Sequence, residues 1–196
     1  MDKGRLEAFS DAVIAIIMTI MVLELKVPDE TDWAALQKLI PVFLTYVLSF
    51  VYLGIYWNNH HHLIKAAGSI SSSVLWANLN LLFWLSLFPF ATGWMGENHF
   101  ETLPTVFYGA VLLLAAFAYY ALQTVIVAAQ PPDSAMRRAL GRDIKGKISP
   151  ALYVVGIAVS FVSTWVAVSI YAAVALIWLV PDRRLVPLID ARSAES

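Results

Sequence analysis

The chain has 196 residues, 60% of them apolar and 14% charged, with no cysteine and a net charge of -1, and its mean hydropathy is positive. Ordinary soluble domains are roughly 45–50% apolar and about 25% charged, so this composition excludes a water-covered globule unless lipid takes the place of water over much of the surface. The lack of cysteine excludes disulfide scaffolds, thiolate metal sites and cysteine nucleophiles.

A bilayer core of about 30 Å needs roughly 20 apolar residues per helix, and runs of that length between charges, prolines and turn residues predict the spans. The first is Leu6 to Val27, with nothing charged between Ala12 and Leu23. Leu36 to Trp57 is the second, with Pro41 in its opening turns, where a missing N–H is tolerated. Val74 to Trp94 is the third and Pro104 to Ala129 the fourth. Ile148 to Val180 is too long for one span and short for two, and reads as a tight helical hairpin breaking near Ser163 and Thr164. Six transmembrane helices result, in one domain over residues 1–190 with a tail over 191–196.

Lysine and arginine collect in cytoplasmic loops. With an inside amino terminus, eleven of the 13 bases lie inside and only Lys26 and Lys38 outside, which predicts an even number of spans and cytoplasmic termini. The outer segments carry six acids, Glu24, Asp29, Glu30, Asp32, Glu97 and Glu101. They read as solvated loop charges or as a means of raising the cation concentration at an outer mouth. Acids flank the first apolar run and no small-residue cleavage site follows it, so it is expected to stay as a span rather than act as a signal peptide. After Pro131, Pro132 and Asp133, apolar residues from Ala135 to Ile148 recur at helical spacing among bases, the pattern of an amphipathic segment on the membrane surface.

Ionisable and amide groups in spans are costly and mark interiors, partners or water. Asp11 is the acid well inside the first span, two turns after Arg5 and next to Ser10. It reads as a partnered acid near the positive end of a helix dipole, or as one that snorkels to the headgroups. The run from Trp57 through Asn58 and Asn59 to His60, His61 and His62 falls at the same depth, as does Asn78 early in the third span, so cross-helix hydrogen bonds are expected there. Three consecutive histidines point about 100° apart and do not chelate together, and no metal is expected. Rotating each residue of the first helix by 100° sets Ile16, Ile20, Leu23, Val27 and Phe9 within about 60° of one another, with Thr19 beside them. Such a stripe serves helix packing, lipid contact or a lumen.

The pattern Arg5-x-x-x-Phe9-Ser10-Asp11 opening the first helix and Trp57-x-x-His60-x-x-Leu63 ending the second, with Asn78 eleven residues before Pro89, resembles the transmembrane protein 175 family of potassium channels. Span count, length and inside termini agree over the whole chain. The resemblance implies an all-α homotetramer in a prokaryotic plasma membrane, its first helices lining a central pore. It implies a constriction of Ile16, Ile20 and Leu23, a hydroxyl layer at Thr19, and an inter-helix network of Arg5, Phe9, Ser10, Asp11, Trp57, His60 and Asn78, in which His61 and His62 are rival histidines.

The expected function is passive, potassium-preferring cation conduction, gated by dewetting of the aliphatic ring. The expected partners are lipid, permeant monovalent cations and further copies of the chain, with no cofactor and no nucleic acid. The competing readings are a proton-coupled transporter or proton leak using Asp11 and His60, and a metal enzyme or hydrolase, for which no paired motif is present.

Overall fold

The computed structural model describes residues 2–68, 70–130 and 144–179, and every regular element among them is helical. The basic amphipathic stretch, the end of the last apolar run at Val180 and the tail over 191–196 fall wholly or mainly outside the described residues.

Helix α1 spans Lys3–Ile20, opened by the Asp2 carboxylate, which accepts from the Gly4 N–H. The chain then tightens into a 3-10 turn over Met21–Glu24 and becomes extended at Leu25. The first helical span therefore stops short of the expected Val27. Pro28 adds to this at Val27 itself, because its ring disfavours helical backbone at the residue before it.

Helix α2 (Trp33–Lys38) is short and capped by Asp32, whose carboxylate accepts from Ala35 N at 2.8 Å. Helix α3 (Ile40–Ala66) starts with Pro41 and continues nine residues past Trp57. Its 27 residues make about 40 Å. The run of amides and histidines stays helical, and several of its polar groups find partners: Asn59 Nδ2, for example, donates to the Ile55 carbonyl.

The third span is two helices, α4 (Ser72–Ser86) and α5 (Phe88–Glu97), meeting at Leu87. Pro89 removes an amide donor and its ring presses on the carbonyl four residues earlier, so the axis breaks there. Helix α6 (Thr102–Ala128) follows, then α7 (Ile144–Val159) and α8 (Thr164–Leu179) around a turn over 160–163. In that turn Ser163 N donates to Val159 O at 2.8 Å, and Ser160 Oγ caps Gly156 O.

Four stretches are long and apolar enough to cross a membrane, Lys3–Glu24, Ile40–Ala66, Ser72–Glu97 and Thr102–Ala128. The apolar helices Ile148–Val159 and Thr164–Leu179 are shorter.

The core is aromatic. Tyr52, Phe88, Tyr108, Tyr153 and Tyr171 meet at ring centroid distances of 6.0–6.4 Å, and Tyr52 OH donates to the Tyr171 carbonyl at 2.6 Å. Gly109 and Gly156 receive the Tyr171 ring, where any Cβ would overlap it. A buried hydroxyl chain joins three helices: Thr92 Oγ1 donates to Ser49 Oγ at 2.7 Å, and Ser49 lies 2.9 Å from Tyr108 OH. At Gly96 helices α3 and α5 touch backbone to backbone, since a Cβ there would stand 2.7 Å from Val42 Cα.

Candidate functional site

Helix α1 divides by face. Leu6, Ser10, Ile14 and Ile17, with Met21 on the following turn, are buried, and α1 packs there on α3, α4 and α5. Phe9, Ile16, Ile20 and Leu23 are 47%, 56%, 41% and 76% exposed. The 100° rotation puts these two sets roughly 120° apart, so the aliphatic stripe belongs to the face left exposed among the described residues. Leu23 stands on the 3-10 turn, where three residues make a full circuit, and it therefore lies directly above Ile20. Val27 is beyond helical structure and is not part of the stripe.

The stripe borders an open groove of about 640 Å³ between α1 and α5, in which Ile16 and Ile20 face Phe90 and Trp94. At its upper end Glu24 lies against Gly93, and a Cβ on that glycine would meet Glu24 Oε2 at 2.6 Å. Thr19 is exposed and donates its hydroxyl proton to Ile16 O at 2.9 Å, which leaves the oxygen lone pairs as its remaining polar capacity.

At the opposite end of α1 three helices are tied by buried side chains. Asn78 Nδ2 donates to Ser10 Oγ at 2.9 Å, Ser10 Oγ donates to the Leu6 carbonyl at 2.9 Å, and His60 Nε2 lies 2.7 Å from Asn78 Oδ1. A carbonyl oxygen only accepts, so His60 carries its proton on Nε2. Its Nδ1 is buried with no partner among the described residues. Ser10, His60 and Asn78 are all fully buried, and this linkage sets the position of α1 against α3 and α4.

The other expected members divide. Asp11 pairs with Trp57, whose Nε1 donates to Oδ1 at 3.0 Å, apart from the Ser10 chain. Phe9 and Arg5 are exposed, and Arg5 makes no hydrogen bond or ion pair among the described residues. The three histidines go separate ways: His60 to Asn78, His61 to Glu7 with Nδ1 2.8 Å from Oε1, and His62 with its Nδ1 unpartnered. Two contacts escaped the sequence reading. One is Glu7 with His61. The other is Lys3, whose Nζ donates to the Lys65 and Ala67 carbonyls at 2.6 and 3.1 Å. Helical spacing places Glu7 and Asp11 on one side of α1, but only packing says which helix they meet.

Long apolar helices, with a hydrogen-bonded foot on α1 and an exposed aliphatic stripe above it, mark an integral membrane protein. The chain belongs to the TMEM175 family: residues 5–89 match the profile described as endosomal/lysosomal potassium channel TMEM175, and a relative is matched nearly end to end. That relative, a potassium channel of Chryseobacterium sp. (strain P1-3), is 53% identical over 94% of this chain and 96% of its own length. The crystal structure of a lysosomal potassium-selective channel TMEM175 homolog from Chamaesiphon minutus superposes with a TM-score of 0.82 at 26% identity, covering 92% of this chain and 97% of that one. The human endosomal/lysosomal proton channel TMEM175 is 40% identical over 75 residues, which is 32% of this chain and 15% of that protein.

Proposed function

We propose that this chain is a passive, potassium-preferring cation channel, assembled as a homotetramer of six-helix subunits whose α1 helices surround the ion path. Both termini face the cytoplasm of a prokaryotic cell and potassium is the permeant species. The observation that carries this reading is the stripe of Ile16, Ile20 and Leu23: one narrow face of α1 is aliphatic and exposed, while a buried polar linkage holds a second face, roughly 120° away. A potassium channel name on the Chryseobacterium relative supports the choice of ion.

A ring of four isoleucines narrows the path until water leaves it, so the pore closes by dewetting. A small outward shift of α1 rehydrates it. Aliphatic side chains do not replace a hydration shell. Preference among cations then rests on the Thr19 oxygens, and preference over anions on outer acids such as Glu24 and Glu97.

The test is electrical. Protein reconstituted in planar bilayers should carry currents that reverse near the potassium potential, and Ile16→Asn, which hydrates the ring, should raise conductance. Silence of well-folded protein at all voltages refutes the channel, and an Ile16→Asn conductance equal to wild type moves the constriction elsewhere.

A proton leak through Asp11 and His60 is the second reading, favoured by the name of the human relative. Within the chain these two residues are not joined, since His60 is bound to Asn78 and Asp11 to Trp57. Reversal potentials that follow a proton gradient at fixed potassium select this reading over the first.

A further inference from the structure

At the amino-terminal end of α1, Glu7 and Asp11 are one helical turn apart and both lie against the last turns of α3. One ligating atom each from Glu7, Asp11 and His61 falls within 4.8 Å of the others. The set combines two carboxylates with an imidazole and comes from two helices. Its members are half-buried, so side chains are constrained while water still reaches them. Asp11 is also oriented from outside the cluster: Trp57 Nε1 holds Oδ1 at 3.0 Å, which leaves Oδ2 for another contact.

We propose that Glu7, Asp11 and His61 form a binding site for a divalent transition metal, Zn2+ or Co2+, that clamps α1 to α3. Zinc takes imidazole nitrogen and carboxylate oxygen at about 2.0–2.2 Å in a tetrahedron, whose edges are therefore about 3.4 Å. From a separation of at most 4.8 Å, the ligating atoms would need to approach by at most about 1.4 Å to reach that spacing. Water fills the fourth position, as in other three-ligand zinc sites. The two carboxylates balance the charge of the ion, and the imidazole favours zinc or cobalt over magnesium or calcium, which prefer all-oxygen surroundings. The hydrogen bond from Trp57 is the outer-shell contact that fixes a ligating carboxylate. His61 Nδ1 and Glu7 Oε1 lie 2.8 Å apart, a contact that a bound ion would replace, since metal ligands must be free of their protons.

The clamp sits at the same end of α1 as the linkage from Ser10 to Asn78, where a small change in helix tilt is transmitted to the stripe above. An effect on conduction rests on the channel reading, but metal uptake does not, and the two are measured separately. Full-length protein freed of affinity tags and stripped with a chelator is titrated with Zn2+ alone by calorimetry and with Co2+ alone by visible absorption. One ion per subunit is expected, with the absorption of a low-coordinate cobalt site. His61→Gln and Glu7→Gln should each weaken binding at least about 10-fold, while His62→Gln leaves it unchanged. Saturating Zn2+ should raise the Tm of the wild type, because the ion binds only the folded chain. The proposal is overturned if the wild type takes up no stoichiometric metal, or if its affinity survives both His61→Gln and Glu7→Gln. Should a variant fail to fold, the wild-type cobalt spectrum decides alone, a six-coordinate aqueous spectrum counting against the site.

Discussion

Replacing Asn78 with leucine tests the buried linkage most directly, since the two side chains branch alike with the same number of heavy atoms and the change removes both bonds at once. His60 Nε2–H then has no acceptor and Ser10 loses the donor at 2.9 Å, although it keeps its own bond to Leu6 O. An unsatisfied buried donor costs about 1–3 kcal/mol, and hydrogen bonds between membrane helices average about 0.6 kcal/mol with a maximum of about 1.7. Two such bonds, partly offset by the apolar gain of leucine, lead to a loss of about 1–3 kcal/mol. For a chain of this size that is a fall in Tm of roughly 2–4 °C per kcal/mol, readable by thermal unfolding in detergent. Ser10→Ala removes one of the same bonds, so the double variant should lose about 0.6–1.7 kcal/mol less than the sum of the single losses. A Tm for Asn78→Leu within about 1 °C of wild type, or strict additivity with Ser10→Ala, refutes the claim that this linkage holds α1 in place.

Further outcomes follow from the packing. Gly96→Ala should destabilise by about 1–3 kcal/mol, the usual range for overpacking, because the new methyl meets Val42 Cα, which moves only if α3 moves; an unchanged Tm would mean the two helices have room to part. Lys26 forms an ion pair with Glu97 at 2.5 Å, and this hydrogen bond, followed by the charge of Glu97, raises its pKa above the ordinary 10.5. The pair's contribution is therefore present below the unfolded lysine's value and lost as pH climbs through the raised one. Lys26→Met should differ from wild type at neutral pH and converge with it in alkali, by a small and salt-sensitive amount since both partners are exposed. A stability difference that stays constant to about pH 11 contradicts that pairing.

Much of the architecture is legible in the residues because a bilayer imposes one crude rule, about 20 apolar residues per crossing. The runs opening at Leu6, Leu36, Val74 and Pro104 each contain a helical stretch long and apolar enough to cross a membrane, and the last run turned at 160–163, at the expected Ser163. The boundaries failed where backbone chemistry overrides hydropathy. The backbone turns 3-10 after Ile20 and leaves the helix at Leu25, Pro89 divides the third span, and the amide and histidine run extends α3 past Trp57.

Periodicity by itself placed Ile16, Ile20 and Leu23 on one face of the first helix, because a helix turns by a constant angle whatever surrounds it. It does not say which face meets the rest of the chain. Only the packing of α1 on α3, α4 and α5 turned Ser10 inward and the stripe outward. The same holds for the polar groups. The residues announce that Asp11, Asn78 and three histidines share one membrane depth, but depth is a single coordinate, and the azimuth of each helix is what selects partners. That azimuth, set for α1 by its packing on α3, α4 and α5, gave His60 to Asn78, Trp57 to Asp11 and His61 to Glu7.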